Sequence, residues 1–179
     1  SVALDPGVYI RSMATRGSLG GLATTTREVC DVLDAAGFDR VLVETVGVGQ
    51  SELDVARTAD TTVLVLVPES GDGIQTLKSG VMEIGDLFVV NKADRDGADR
   101  LRHEPEVTLA IRAGNAFRHV KAHHGRPVDA QAPLEAEGKT PEVLATIAAK
   151  GEGVAELVAA LDRHWEALVT GGALVGRRK

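Results

Sequence analysis

Apolar and polar positions along the chain follow two alternating rhythms. Short unbroken apolar runs occur at "VYIR" (8–11), "RVLVE" (40–44), "TTVLVLVP" (61–68), "DLFVVN" (86–91) and "VLATIAA" (143–149). Their lack of polar alternation is the pattern of parallel strands buried on both faces. Between these runs the period changes to that of a helix. "TTTREVCDVLDAAG" (24–37) predicts one, with Thr24 or Thr25 as cap, Val29, Val32, Leu33 and Ala36 on one face, and Gly37 at its end. "IQTLKSGVMEIG" (74–85) predicts another, and the chain from Ala93 to about Ala122 reads as mostly helical, with Pro105 as an interruption. "GVAELVAALDRHWEALV" (153–169) places Leu157, Leu161, Trp165 and Leu168 on a single stripe. The polar stretch 123–142 reads as a surface insertion. Strand alternating with helix predicts an α/β fold, a mostly parallel sheet with flanking helices, and a ligand at the carboxyl ends of the strands.

Composition narrows this picture. With 179 residues, 44% apolar content and only 3% aromatics, the chain can bury a core built from Val, Leu, Ile and Ala. A net charge of -6 speaks against a nucleic-acid partner, and Arg177, Arg178 and Lys179 read as a small solvated basic tail. The single cysteine, Cys30, cannot form an internal disulfide and reads as a buried small hydrophobe, which fits a reducing, cytoplasmic setting. The longest apolar run, 63–68, is too short to cross a bilayer, and "SVALDPGVYI" has no leader pattern, so no membrane partner is expected.

Three strand ends carry chemistry. "LFVVNKAD" ends in Asn91, Lys92, Ala93 and Asp94, an N-K-x-D pattern. A carboxylate at Asp94 can accept from the N1–H and exocyclic amine of guanine, a pair that adenine lacks. The Lys92 stem can lie across the base, and Asn91 can tie neighbouring loops together. "TIAAKGEG" follows the last strand, and N–H groups near Ala148 and Ala149 can reach the guanine O6. "VLVETVGVGQSE" ends a strand in Glu44, Gly47 and Gly49. Glu44 is placed to hold a Mg²⁺ through water, Gly47 lets the backbone approach a terminal phosphate, and Gly49 allows the loop to move. The loop "PESGDGIQTLKSG" (68–80) offers a helix N-terminus, although Asp72 opposes an anion there. His123 and His124 have no Cys or further His at ligand spacing and are not read as a metal site.

Taken together, "ETVGVGQSE", "GSLGGLATTTRE", "NKAD" and "GRRK" closely resemble the MeaB/ArgK family of GTPases, the chaperones of methylmalonyl-CoA mutase, over nearly the whole chain. The resemblance implies a G domain of the P-loop NTPase type, binding GTP/GDP with Mg²⁺, usually homodimeric, and hydrolysing GTP slowly. It implies a role in gating adenosylcobalamin loading into the mutase and in protecting that enzyme. By that likeness Glu44 is the Mg²⁺-side acid and metal ligand, Gly47 the phosphate-sensing glycine, and Asn91, Lys92 and Asp94 the guanine readers. The loop from Glu69 to Lys78 is a partner-responsive switch, with Lys78 a candidate for mutase-stimulated hydrolysis. Gln50, separated from Gly47 by two residues, is a candidate for positioning water. The arginine-transport role attached to the ArgK name has no support in these residues.

The sequence departs from the family in one respect that matters: it contains no G-x-x-x-x-G-K-[ST]. The expectation is an N-terminally incomplete G-domain core over 1–170, lacking the phosphate-loop strand and helix, with 171–179 beginning a C-terminal dimerisation segment. Such a piece should bind GTP poorly by itself. Two alternatives stay open, a mutase-binding module without hydrolysis and the G domain of a metal-delivery GTPase with another client. The lack of a Cys/His cluster weighs against the latter.

Overall fold

The structure, a computed structural model, describes residues 4–13, 24–45, 58–68, 84–103, 105 and 142–178. Contacts divide the chain into two units, one of residues 1–60 with Arg178, the other of residues 61–177. Residues 74–83 of the predicted helix and 123–141 of the insertion, with His123 and His124, lie outside the described residues; Ile84 and Gly85 are described and are not helical.

In the first unit helix α1 spans Thr24–Ala35. Its C-terminus closes as the periodicity predicts. Gly37 takes the left-handed conformation at φ 86°, its N–H donates to Asp34 O at 3.0 Å, and the Phe38 N–H reaches back to Leu33 O at 3.2 Å. Two crossed bonds of this kind satisfy carbonyls that the helix leaves open. Val29, Cys30 and Leu33 are half-buried, whereas Val32 is 67% exposed, so the covered stripe is narrower than the spacing implied. Cys30 is therefore half-buried, not core. Desolvation, followed by the neighbouring Asp31 charge, raises its thiol pKa and makes it a poor nucleophile. The cap expected of Thr24 or Thr25 lies outside the described side chains.

Two predicted strands are corrected in this unit. Residues 8–11 and 40–44 carry no strand, and Ile10 and Leu42 are 65% and 89% exposed. Extended apolar sequence is only half of a strand; the other half is a neighbour that accepts its ladder of hydrogen bonds. Among the described residues neither stretch is paired into the sheet.

The second unit contains the sheet. Strands β1 (Val63–Leu66), β2 (Leu87–Asn91) and β3 (Val143–Thr146) lie in the order β1-β2-β3, and both pairings are parallel. Val63 is opposite Leu87, and Phe88 is opposite Val143. The central strand is buried from Leu87 to Val90, as an apolar run without polar alternation requires. Phe88 and Val90 pack with Leu66, Val143, and Ala98 and Leu101 of helix α2, whose described part is residues 98–103 and 105. Full burial of Phe88, Val89 and Val90 stabilises the unit by about 1.5–3 kcal/mol each. Pro105 is itself helical and fully buried.

Helix α3 (Val154–Thr170) packs on β2 and β3, burying Ala160 and Leu168 while Trp165 stays 42% exposed. After Gly171 and Gly172 a short helix α4 (Ala173–Arg177) follows. The basic tail is not simply solvated. Arg177 is paired with Asp86, and Arg178, which groups with the first unit, is paired with Asp60. Two guanidinium groups found carboxylates far away in sequence, which composition could not show. No described helix is long and apolar enough to cross a membrane.

Candidate guanine-reading edge

At the carboxyl end of β2 the chain turns sharply. Asn91 is the last residue of the strand, and Lys92 takes a left-handed conformation at φ 56°, which few residues other than glycine adopt. The turn is closed by the Arg95 N–H donating to Lys92 O at 3.0 Å, and it is fastened to the neighbouring strand by the Ala93 N–H donating to Thr146 O at 3.0 Å. Strain at a strand end held by hydrogen bonds on both sides is the pattern of a preorganised site.

The second loop is built on β3. Beyond Thr146 a single 3-10 turn spans Ala148–Lys150, closed by the Lys150 N–H to Ile147 O at 2.8 Å and the Gly151 N–H to Ala148 O at 3.2 Å. Ile147 donates its N–H to Glu152 O at 3.0 Å, folding the loop back on itself. Gly151 and Gly153 both have positive φ, 75° and 73°. Only Gly153 is also crowded: a Cβ there would strike the carbonyl oxygen of Ala145. A glycine at this point lets α3 begin directly against the backbone of β3.

Asn91 joins the two loops. Its Oδ1 accepts from the Thr146 hydroxyl at 3.2 Å and from the Ala148 N–H at 3.1 Å. The Asn91 side-chain NH₂ is thereby oriented, since Oδ1 faces the β3 loop. Asp94 faces the same loop, with its Oδ2 accepting from Lys150 Nζ at 3.2 Å. The Lys150 hydrogen bond is the main cause that holds the Asp94 carboxyl below the ordinary carboxylate range, so it is an acceptor throughout neutral pH. Ala149 lies ahead of the first bond that closes the 3-10 turn, so its N–H has no partner within that turn.

Of the residues singled out in the sequence, Asn91, Lys92, Asp94, Ala148 and Ala149 share this one edge. The Ala148 N–H is used internally, on Asn91. Glu44 belongs to the first unit and is exposed. Gly47, Gln50 and Lys78 lie outside the described residues, as does the loop from Glu69 to Lys78. Sequence reasoning missed Thr146 and Lys150, both inside "TIAAKGEG". A hydroxyl on the last residue of a strand and a lysine after two alanines were the available signals, but nothing local says that their partners are Asn91 and Asp94.

The arrangement suits the base of a guanine nucleotide: an ionised carboxylate, an N–H not used within its 3-10 turn and an oriented amide lie on the two loops where parallel strands end. For a metal, no group of three His, Cys, Asp or Glu side chains is gathered among the described residues.

Comparison with known proteins gives the family. A family model described as methylmalonyl Co-A mutase-associated GTPase MeaB matches residues 1–179. The chain belongs to the MeaB family. It is 46% identical over 175 residues to a Pyrococcus abyssi protein that carries a provisional GTPase name, covering 98% of this chain and 48% of that protein. It is 34% identical over 177 residues to the mouse methylmalonic aciduria type A homolog, mitochondrial, covering 98% of this chain and 38% of that one. GTPase ArgK of Escherichia coli is 43% identical over 113 residues, 62% of this chain and 34% of its own length. A crystal structure of LAO/AO transport system kinase superposes with a TM-score of 0.63 at 32% identity, covering 85% of this chain and 43% of that one. The chain thus spans half or less of the length of these relatives. The MeaB family and the superposition support the P-loop GTPase fold class expected from the sequence.

Proposed function

We propose that these residues form the guanine-reading part of a GTP-binding and GTP-hydrolysing chaperone that serves an adenosylcobalamin-dependent methylmalonyl-CoA mutase, gating cofactor loading and protecting the mutase. The observation that carries the reading is the tie from Asn91 to Thr146 and Ala148, with Asp94 ionised beside it. Asp94 accepts from the N1–H and amine of the base, the Ala149 N–H donates to O6, and the Lys92 stem covers one face. Adenine presents the opposite donor and acceptor order at these positions, so the edge discriminates against it.

The remaining roles rest on the family likeness. Glu44 holds Mg²⁺ through water, Gly47 meets the terminal phosphate, Gln50 positions water and Lys78 responds to the mutase. The complete protein acts as a cytoplasmic homodimer. These 179 residues contain no G-x-x-x-x-G-K-[ST], and the several charge-assisted bonds of such a loop, about 1.5 kcal/mol or more each, are missing from them. The chain by itself therefore binds guanine nucleotides weakly.

Backbone NMR of the chain, titrated with GDP and separately with ADP in the presence of Mg²⁺, tests the reading. GDP should shift the amides of 91–94 and 148–151 at concentrations where ADP does not. Equal shifts from both nucleotides, or none at these positions, would refute it. Retention of methylmalonyl-CoA mutase on the immobilised chain without nucleotide would favour a binding module that does not itself hydrolyse GTP.

A further inference from the structure

The opposite end of the sheet holds a second polar cluster that has no part in reading a base. Thr61 and Thr62 precede β1 and Asp86 precedes β2, so they lie at the amino ends of two parallel neighbours. The Thr62 N–H donates to Asp86 Oδ2 at 2.9 Å, while the Asp86 and Leu87 N–H groups donate to Thr62 O at 2.9 and 3.2 Å. Onto this frame Arg177, the last residue of α4, places both guanidinium arms: Nη1 on Asp86 Oδ2 at 2.9 Å and Nη2 on Oδ1 at 2.6 Å. His164 of α3 completes the surround, with Nε2 3.6 Å from Asp86 Oδ1 and Nδ1 3.0 Å from the Thr61 hydroxyl. The Asp86 side chain is only 14% exposed. A bidentate pair on a largely covered carboxylate is among the stronger polar contacts a protein makes.

The clasp holds a short helix that buries no residue of its own, that touches α3, and that is followed directly by the Arg178–Asp60 pair. Helix α4 has five residues, none of them buried, and Val175 is 63% exposed. So short a helix is not stable without tertiary support. It is joined to α3 through Gly171 and Gly172. The second of these has φ 70° with open space around it, a joint with no side chain to restrict it.

We propose that α4 is a detachable strap, hinged at Gly172, just beyond the Gly171 cap of α3, and clasped by Arg177 onto Asp86, that opens without disturbing the sheet or the base-reading edge at its other end. Asp86 and Asn91 sit at opposite ends of β2, and the bonds from Asp86 to Thr62 and Arg177 lie at the end away from the base-reading loops. The strap therefore redirects the chain at Arg177 independently of nucleotide reading. His164 and Thr61 stay on α3 and the β1 turn when it opens, leaving Asp86 as a formed acceptor onto which the strap can close again.

Backbone ¹⁵N relaxation on the full chain decides this, with Arg177→Gln as the first variant because it leaves Asp86 and its bond to Thr62 in place. Asp86→Asn is the second, since its amide oxygen can still accept from Thr62. Each is made with Arg178→Gln, so that the Asp60 pair cannot mask release. In wild type, residues 173–177 should have order parameters near 0.85; in both variants they should fall below about 0.6, while 154–168 and 87–91 stay rigid and the amides of 91–94 and 148–150 keep their shifts. Residues 173–177 remaining rigid in both variants would overturn the proposal. So would a matching loss of order in α3 or β2, which would make the cluster part of the fold and not a strap.

Discussion

Two glycines, two residues apart in the same loop, offer a clean test of how the base-reading edge is built. Gly151 and Gly153 have nearly the same backbone, φ 75° and 73°, but only one is crowded. An alanine at Gly151 would meet nothing within 4 Å. At Gly153 its Cβ would strike Ala145 O and approach Thr146 Cα to 3.1 Å. Both substitutions incur the left-handed penalty of about 1–2 kcal/mol, offset by about 0.4–1 kcal/mol from a less free unfolded chain. The crowding adds about 1–3 kcal/mol at Gly153 alone, since Ala145 and Thr146 lie in ladder register with Val90 and Asn91 and cannot retreat without straining that pairing. Gly151→Ala should thus cost about 1 kcal/mol and Gly153→Ala about 2–4 kcal/mol. Urea unfolding followed by far-UV circular dichroism, with the fluorescence of Trp165 as a second probe, measures both. Equal midpoints for the two variants would refute the claim that close approach of α3 to β3, rather than φ alone, demands glycine at Gly153.

Further outcomes follow from the same geometry. Asp94→Asn turns an acceptor into a donor and should weaken GDP binding by about 100-fold or more in a phosphate-loop-containing protein, with partial recovery for a xanthine nucleotide, as read by calorimetry. Thr146→Val keeps shape but removes the hydroxyl that Asn91 accepts, and should cost about 1 kcal/mol in urea unfolding while broadening the amides of 148–150. Burial by itself raises the Asp86 carboxyl, but the Arg177 hydrogen bonds, the Thr62 N–H and the Arg177 and His164 charges outweigh it and bring it below its ordinary value. Its contribution is therefore present in full above the ordinary carboxylate range and is lost as pH falls through the lower folded value. Unfolding midpoints measured from neutral pH down into the acid range should fall less steeply in Asp86→Asn than in wild type, and parallel curves would contradict the assignment.

How far the site was legible depends on the range of the interaction. N-K-x-D after an apolar run is a local pattern, and the structure sets Asn91, Lys92 and Asp94 at the end of a buried strand as that pattern predicts. The partners of those residues are another matter. Asn91 and Thr146 are 55 positions apart, and Asp94 and Lys150 are 56 apart, so no window of sequence contains either pair. The tail shows the same limit more sharply, because Arg177 reaches a carboxylate 91 positions away.

The sequence by itself determined β1, β2, β3, α1 and α3, because apolar periodicity and a left-handed glycine act within a few residues and need no knowledge of the rest of the chain. It also placed N-K-x-D directly after an apolar strand. Tertiary structure alone decided that the apolar stretches 8–11 and 40–44 are not strands, that Ala148 gives its N–H to Asn91, and that the C-terminal arginines are paired. Each of those outcomes depends on whether a partner from a distant part of the chain arrives to satisfy a hydrogen bond or a charge. Local propensity carries no information about that arrival.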